Sequence, residues 1–123
     1  MNLYREKILE IYKNPQHFDE IDDFNFQAEK ENLFCGDRLK VKIKLKENLI
    51  EKIAFSGEGC VLTIVGASAA GDLAKGSNLE RIKKLSLKDI LKKLGLEEIL
   101  PSREKCLTLG LSVIKEALHL KEN

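Results

Sequence analysis

No run of this chain stays free of charge for long. The longest uncharged stretch, Gly59 to Gly71, is too short and too rich in small residues to span a bilayer. The N-terminus breaks into charge at once with Arg5, Glu6 and Lys7, unlike a signal peptide. There is no large excess of either sign: the formal net charge is +1, which gives no overall pull toward nucleic acid or anionic lipid. Lysines do gather locally, at Lys40, Lys42, Lys44 and Lys46 and again at Lys83, Lys84, Lys88, Lys92 and Lys93, against an acidic segment of Asp19, Glu20, Asp22, Asp23, Glu29 and Glu31. No aromatic residues interleave with those lysines, so they read as solvated faces of a strand and a helix. Neither nucleic acid nor membrane is expected as a partner.

Cysteine is scarce and odd in number, three in all, with no Cys-x-x-Cys pair. Together with the Lys/Glu-rich composition this excludes a secreted disulfide framework and leaves reduced thiols that bind metal or react. A cytoplasmic protein is expected. Internal repeats and linkers are absent, and 123 residues, 43% hydrophobic and 33% charged, fit one compact domain over residues 1–123.

Asn2 to Lys13 reads as a helix, since Tyr4, Ile8, Ile11 and Tyr12 recur at helical spacing and Asn14-Pro15 stops it. Between Gln16 and Phe34 the pattern is mixed, with Phe24 and Phe26 alternating as in a short edge strand. Arg38 to Lys46 alternates Leu39, Val41, Ile43 and Leu45 with five cations, the pattern of a half-buried antiparallel strand. Glu47-Asn48 supplies a turn, Leu49 to Ser56 a second strand, and Gly57-Glu58-Gly59 a flexible turn before Cys60. Val61 to Lys75, full of alanine and glycine, predicts a helix buried on most sides and closed by Gly76. Asn78 to Leu94 fits two short amphipathic helices, the second opened by Ser86 and Asp89 as a capping box and ended by Gly95. Pro101-Ser102 starts a last helix through Cys106, Leu109, Val113, Ile114 and Leu118.

The settings of the cysteines predict thiols that are presented, not hidden. In Cys35-Gly36-Asp37 a thiol and a carboxylate stand two positions apart, on one side of an extended segment, with Gly36 permitting a sharp turn. Cys60 falls between a Gly-Glu-Gly turn and a helix start, where unpaired N–H groups and the dipole favour an anionic sulfur. Cys106 follows Arg103-Glu104-Lys105, whose cations favour the same form. Three thiolates and one carboxylate suit tetrahedral zinc or a small iron–sulfur cluster. The carboxylate would be the more exchangeable donor, which favours delivery over storage. Separated by 25 and 46 positions, three cysteines read on spacing alone equally well as core filler; their local contexts favour ligation. His17, in an acidic loop, and His119, near the C-terminus, read as solvated or helix-capping residues.

Asn14-Pro15, Cys35-Gly36-Asp37, Phe55-Ser56-Gly57-Glu58-Gly59-Cys60, Ala67-Ser68, Lys75-Gly76 and Arg103-Glu104-Lys105-Cys106 stand in an order and with gaps that resemble the NifU N-terminal/IscU/SufU iron–sulfur assembly family. The likeness runs from the first helix to the last. It implies an α+β fold, a small three-stranded antiparallel sheet with helices packed on it (SufE/NifU-like), and a ligand site at one exposed end. It implies Cys35, Asp37, Cys60 and Cys106 as metal ligands; the charges of Arg103 and Lys105 would offset the anionic charge of that set, and Gly36, Gly57 and Gly59 read as structural residues.

The activity implied is that of a scaffold more than an enzyme. It would accept sulfur from a cysteine desulfurase, assemble a transient [2Fe–2S] cluster and pass it to apo iron–sulfur proteins, with zinc able to take the same ligands. The alternative is a zinc-dependent sulfurtransferase of the SufU kind, in which Cys35 or Cys106 relays persulfide sulfur. Lys105 stands where the IscU branch has a histidine, as in the SufU branch, yet the gap between Cys60 and Cys106 is too short for the usual SufU insertion. Ile99-Leu100-Pro101-Ser102-Arg103 lacks the Leu-Pro-Pro-Val-Lys motif of IscU, which argues against recognition by an Hsp70-type chaperone. Leu33 replaces the family's usual proline before Cys35.

Overall fold

A computed structural model of the chain describes residues 3–33 and 36–121. Its elements run α1 (Leu3–Lys13), β1 (Phe26–Asn32), β2 (Asp37–Lys46), β3 (Leu49–Glu58), α2 (Val61–Ala74), α3 (Leu79–Lys84), α4 (Leu87–Leu94), a 3₁₀ turn (Pro101–Arg103) and α5 (Glu104–Ala117). The strands form one antiparallel sheet in the order β1-β2-β3. This is the α+β arrangement expected from the sequence.

The period-two pattern of β2 does what it predicts. Leu39, Val41 and Ile43 are fully buried, while the cations between them stay exposed or half-exposed on the opposite face. Burying three such side chains contributes roughly 5–8 kcal/mol of transfer free energy before entropy is counted. Helix α5 packs on this inner face across β1 and β2, and α2 lies beside α5 and against β3. Helix α2 has ten buried residues, and the only ones wholly or partly exposed are near its ends and at Asp72 and Leu73. An all-round apolar helix of this kind belongs in the interior.

Strand β1 differs from the expectation. It begins at Phe26 and continues to Asn32, with Phe26, Ala28, Lys30 and Asn32 turned inward. Phe24 lies ahead of it, its ring beneath the Lys42 ammonium at 4.9 Å. The polar run Gln27 to Asn32 hid the strand, because its inward positions are Ala28, Lys30 and Asn32 and carry no apolar alternation. Lys30 reaches Ser112 Oγ of α5 at 2.5 Å, so a polar contact takes the place of an apolar one. At the other edge β3 runs on through Gly57 and Glu58 instead of turning there. Gly57 (φ +129°) is needed because a side chain would strike the Arg38 carbonyl of β2. The capping box at Ser86 and Asp89 and the left-handed Gly95 at the end of α4 are present as read.

Candidate metal centre

Three elements end at one place, and each delivers one donor. Asp37 is the first residue of β2 and shares the inward face with Leu39 and Val41, so its carboxylate is aimed at the helices and is 5% exposed. Cys60 is the N-cap of α2. Cys106 is the third residue of α5. One ligand atom of Asp37, Cys60 and Cys106 can be chosen so that all lie within 4.8 Å of one another.

Helix packing brings Cys60 and Cys106 together. Glycines set the spacing: a side chain on Gly66 of α2 would run into the Leu107 carbonyl of α5, and one on Gly110 would fall 2.5 Å from the Ala67 Cα. These contacts advance in the same direction along both helices, so both N-termini arrive at the same end. The positive ends of two helix dipoles therefore meet at this site.

The carboxylate is tied to α2. The Cys60 N–H donates to Asp37 Oδ1 at 3.2 Å, and the Thr63 hydroxyl donates to Asp37 Oδ2 at 2.5 Å. Thr63 Oγ1 also lies 3.4 Å from Cys60 Sγ. Gly59 makes room for this: a Cβ there would sit 2.8 Å from Thr63 Cγ2 and 3.0 Å from Asp37 Cγ. Each carboxylate oxygen has two lone pairs, so these bonds leave capacity for a metal.

The donor set fits a small thiophilic ion. Three points no more than 4.8 Å apart have a common centre within ~2.8 Å of each, against ~2.3 Å for Zn–S and ~2.0–2.2 Å for Zn–O. A contraction of about half an ångström closes that difference, and a fourth donor completes a tetrahedron. Cys35, the fourth ligand expected, lies outside the described residues. Gly36, the residue after it, takes φ +74°, a conformation glycine adopts freely, and its N–H donates to the Asn32 carbonyl at 2.8 Å. Arg103 and Lys105 are both exposed beside the buried Cys106.

Burial corrects the expectation of presented thiols. Cys106 is 5% exposed and Cys60 is half-buried, because α5 turns its third residue toward α2 and the sheet. His17 is corrected as well. Its side chain is only 12% exposed and pairs with Asp72 Oδ1 at 2.7 Å, with its ring against Gly71 and its carbonyl accepting from the Phe55 N–H. His119 is exposed, edge-on to Phe26. The sequence reading also passed over Thr63. A lone polar residue three positions after Cys60, in an otherwise apolar helix start, is the signal that could have found it, since that position faces back toward the N-cap.

Known proteins resemble this chain along most of its length. Residues 3–121 match the family model described as the NifU-like N terminal domain. An iron–sulfur cluster assembly scaffold protein IscU of Streptococcus pyogenes serotype M1 is 31% identical, over 99% of this chain and 86% of that protein. The zinc-dependent sulfurtransferase SufU of Bacillus subtilis is 28% identical, over 98% of this chain and 92% of its own length. Two IscU scaffold proteins of Archaeoglobus fulgidus are 32% identical over 76% of this chain, which spans 61% of their length. Among solved structures, a hypothetical protein superposes with a TM-score of 0.78 at 26% identity, covering 95% of this chain and 97% of that one. The N-terminal part of a NifU-like protein from Brucella abortus gives 0.75 at 15% identity, covering 95% and 92%, a likeness of fold alone.

Proposed function

This chain belongs to the NifU-like N-terminal domain family, and on that premise we propose that it is a scaffold on which an iron–sulfur cluster is assembled and from which the cluster is passed on. Cys35, Asp37, Cys60 and Cys106 hold the cargo, a [2Fe–2S] cluster whose sulfur comes from a cysteine desulfurase and whose recipients are apo iron–sulfur proteins. The observation that carries this reading is the convergence of Asp37, Cys60 and Cys106 within 4.8 Å at the ends of three elements. Two helix N-termini meet at the cargo, and Arg103 and Lys105 offset the negative charge that a sulfur-rich ligand set keeps after binding. Asp37 is the weak point by design: an oxygen donor among sulfurs exchanges most readily and marks where an acceptor's thiolate enters. Zinc at the same residues would hold the thiols deprotonated.

A second reading has its own support. Lys105 stands immediately before Cys106 and the likeness to the Bacillus subtilis sulfurtransferase covers 98% of the chain. In that reading zinc occupies the site and Cys35 or Cys106 relays persulfide sulfur without a cluster ever forming. Anaerobic reconstitution with iron, cysteine, a cysteine desulfurase and excess dithiothreitol, whose oxidation to its disulfide supplies the two electrons that turn persulfide sulfur into sulfide, separates the two. A scaffold develops [2Fe–2S] absorbance with iron and sulfide in equal amounts. A relay turns over sulfur with no cluster bands, and that result would overturn the first reading.

A further inference from the structure

We infer that Thr63 is a positioning residue of the metal centre: its hydroxyl sets the direction in which the Asp37 carboxylate faces Cys60 and Cys106. The inference rests on the reading of those residues as metal ligands. Thr63 is wholly buried, and its hydroxyl lies between two of the proposed donors, 2.5 Å from Asp37 Oδ2 and 3.4 Å from Cys60 Sγ.

The arrangement is a helix cap shared between two parts of the chain. Cys60, the N-cap of α2, makes no side-chain cap bond of its own. Asp37 arrives from β2 to accept the Cys60 N–H with one oxygen, and Thr63, at the third position of the helix, holds the other. In an ordinary capping box the residue at that position reaches back to the N-cap itself. Here it reaches the carboxylate that does the capping. The β-branched side chain is stiff about χ1, and its methyl packs where Gly59 lacks a side chain, so the hydroxyl is fixed before any metal arrives. Groups that orient ligands in this way commonly carry ~10–100-fold in metal affinity.

The test is anaerobic titration of the metal-free full chain with cobalt(II), whose sulfur charge-transfer bands report the thiolates and whose ligand-field bands report the oxygen donor. Thr63→Val, which keeps the shape and removes the hydroxyl, should weaken cobalt binding ~10-fold or more and shift the ligand-field bands while the charge-transfer intensity persists. Thr63→Ser should restore both to within about threefold, and in an Asp37→Ala chain the valine should add no more than about twofold, because it acts through the carboxylate. Parent-like binding by Thr63→Val, an equal loss with and without Asp37, or a serine that restores nothing would overturn the inference. Should the valine chain fail to fold, Thr63→Ala removes the same hydroxyl and is read the same way. A parent chain with no sulfur-to-cobalt bands would overturn the metal reading itself and the inference with it, whereas a binding parent with an indifferent valine variant defeats the inference alone.

Discussion

Gly110 of α5 lies against Ala67 of α2 so closely that a Cβ on the glycine would meet the alanine Cα at 2.5 Å. With Gly66 against Leu107, this contact holds the two helices at the distance that places Cys60 beside Cys106. Gly66→Ala and Gly110→Ala should each cost about 1–3 kcal/mol by overpacking. Both should also weaken zinc binding, because the helices must part. Gly76→Ala is the control. Nothing lies within 4 Å of its Cβ but its φ is +80°, so it should cost about 1 kcal/mol and leave zinc affinity unchanged. Urea unfolding and chelator competition measure the two effects separately.

Asp37 serves the fold as well as the site. Asp37→Ala removes the acceptor of the Cys60 N–H and of the buried Thr63 hydroxyl, and should lower the stability of the metal-free chain by about 1–3 kcal/mol. The measurement is urea unfolding in the presence of a chelator. An unchanged midpoint would mean that the carboxylate does not cap α2.

Much of this was legible in the sequence, and the reasons are specific. Leu39, Val41 and Ile43 alternate with cations, Gly95 follows the last turn of an amphipathic helix, and Ser86 precedes Asp89 by three. In each case a local pattern has one physical meaning. Asp37, Cys60 and Cys106 were also named as donors from their settings. Their meeting depends on two glycines and an alanine one or two turns further along the helices, and no local pattern shows which helix a glycine will face. The inward turn of Cys106 and the burial of His17 were missed for the same reason, since tertiary packing decides both. The sequence pattern places strand β1 too early, because Lys30 and Asn32 occupy inward positions where apolar residues would announce it.

The ligand roles make the strongest mutational contrast. Cys60→Ser and Cys106→Ser should each reduce zinc affinity at least ~100-fold, beyond the ~10–100-fold carried by groups that only orient ligands. Cys35→Ser should do the same. Arg103→Ala or Lys105→Ala, which removes a nearby charge and no ligand, should cost less, and its effect should shrink as salt is added. Competition with a chromophoric chelator at two ionic strengths reads all of these. A lysine variant as damaging as a cysteine variant would contradict the assignment.

At the far end of the sheet, Asp23 gives a pH-dependent marker that is independent of the site. A hydrogen bond from Lys44 at 3.1 Å, then the charge of Lys44 and more weakly of Lys52 and Lys46, hold its carboxyl below the ordinary value of 3.8. The folded value is below that of the unfolded chain. The pair's contribution is therefore present above the unfolded value and is lost as pH falls through the folded one. NMR titration should find a midpoint under 3.8 in the parent that moves up in Lys44→Met. An unmoved midpoint would show that the ion pair does not form in solution.

In the proposed centre, sulfurs from separate elements and one carboxylate share a single metal. X-ray absorption at the zinc edge of the zinc-loaded chain measures this directly. The expected shell is three sulfurs at ~2.3 Å and one oxygen at ~2.0–2.2 Å, with the oxygen shell altered in Asp37→Ala and one sulfur gone in Cys60→Ser. A first shell of nitrogen and oxygen alone, or a spectrum indifferent to both substitutions, would contradict it.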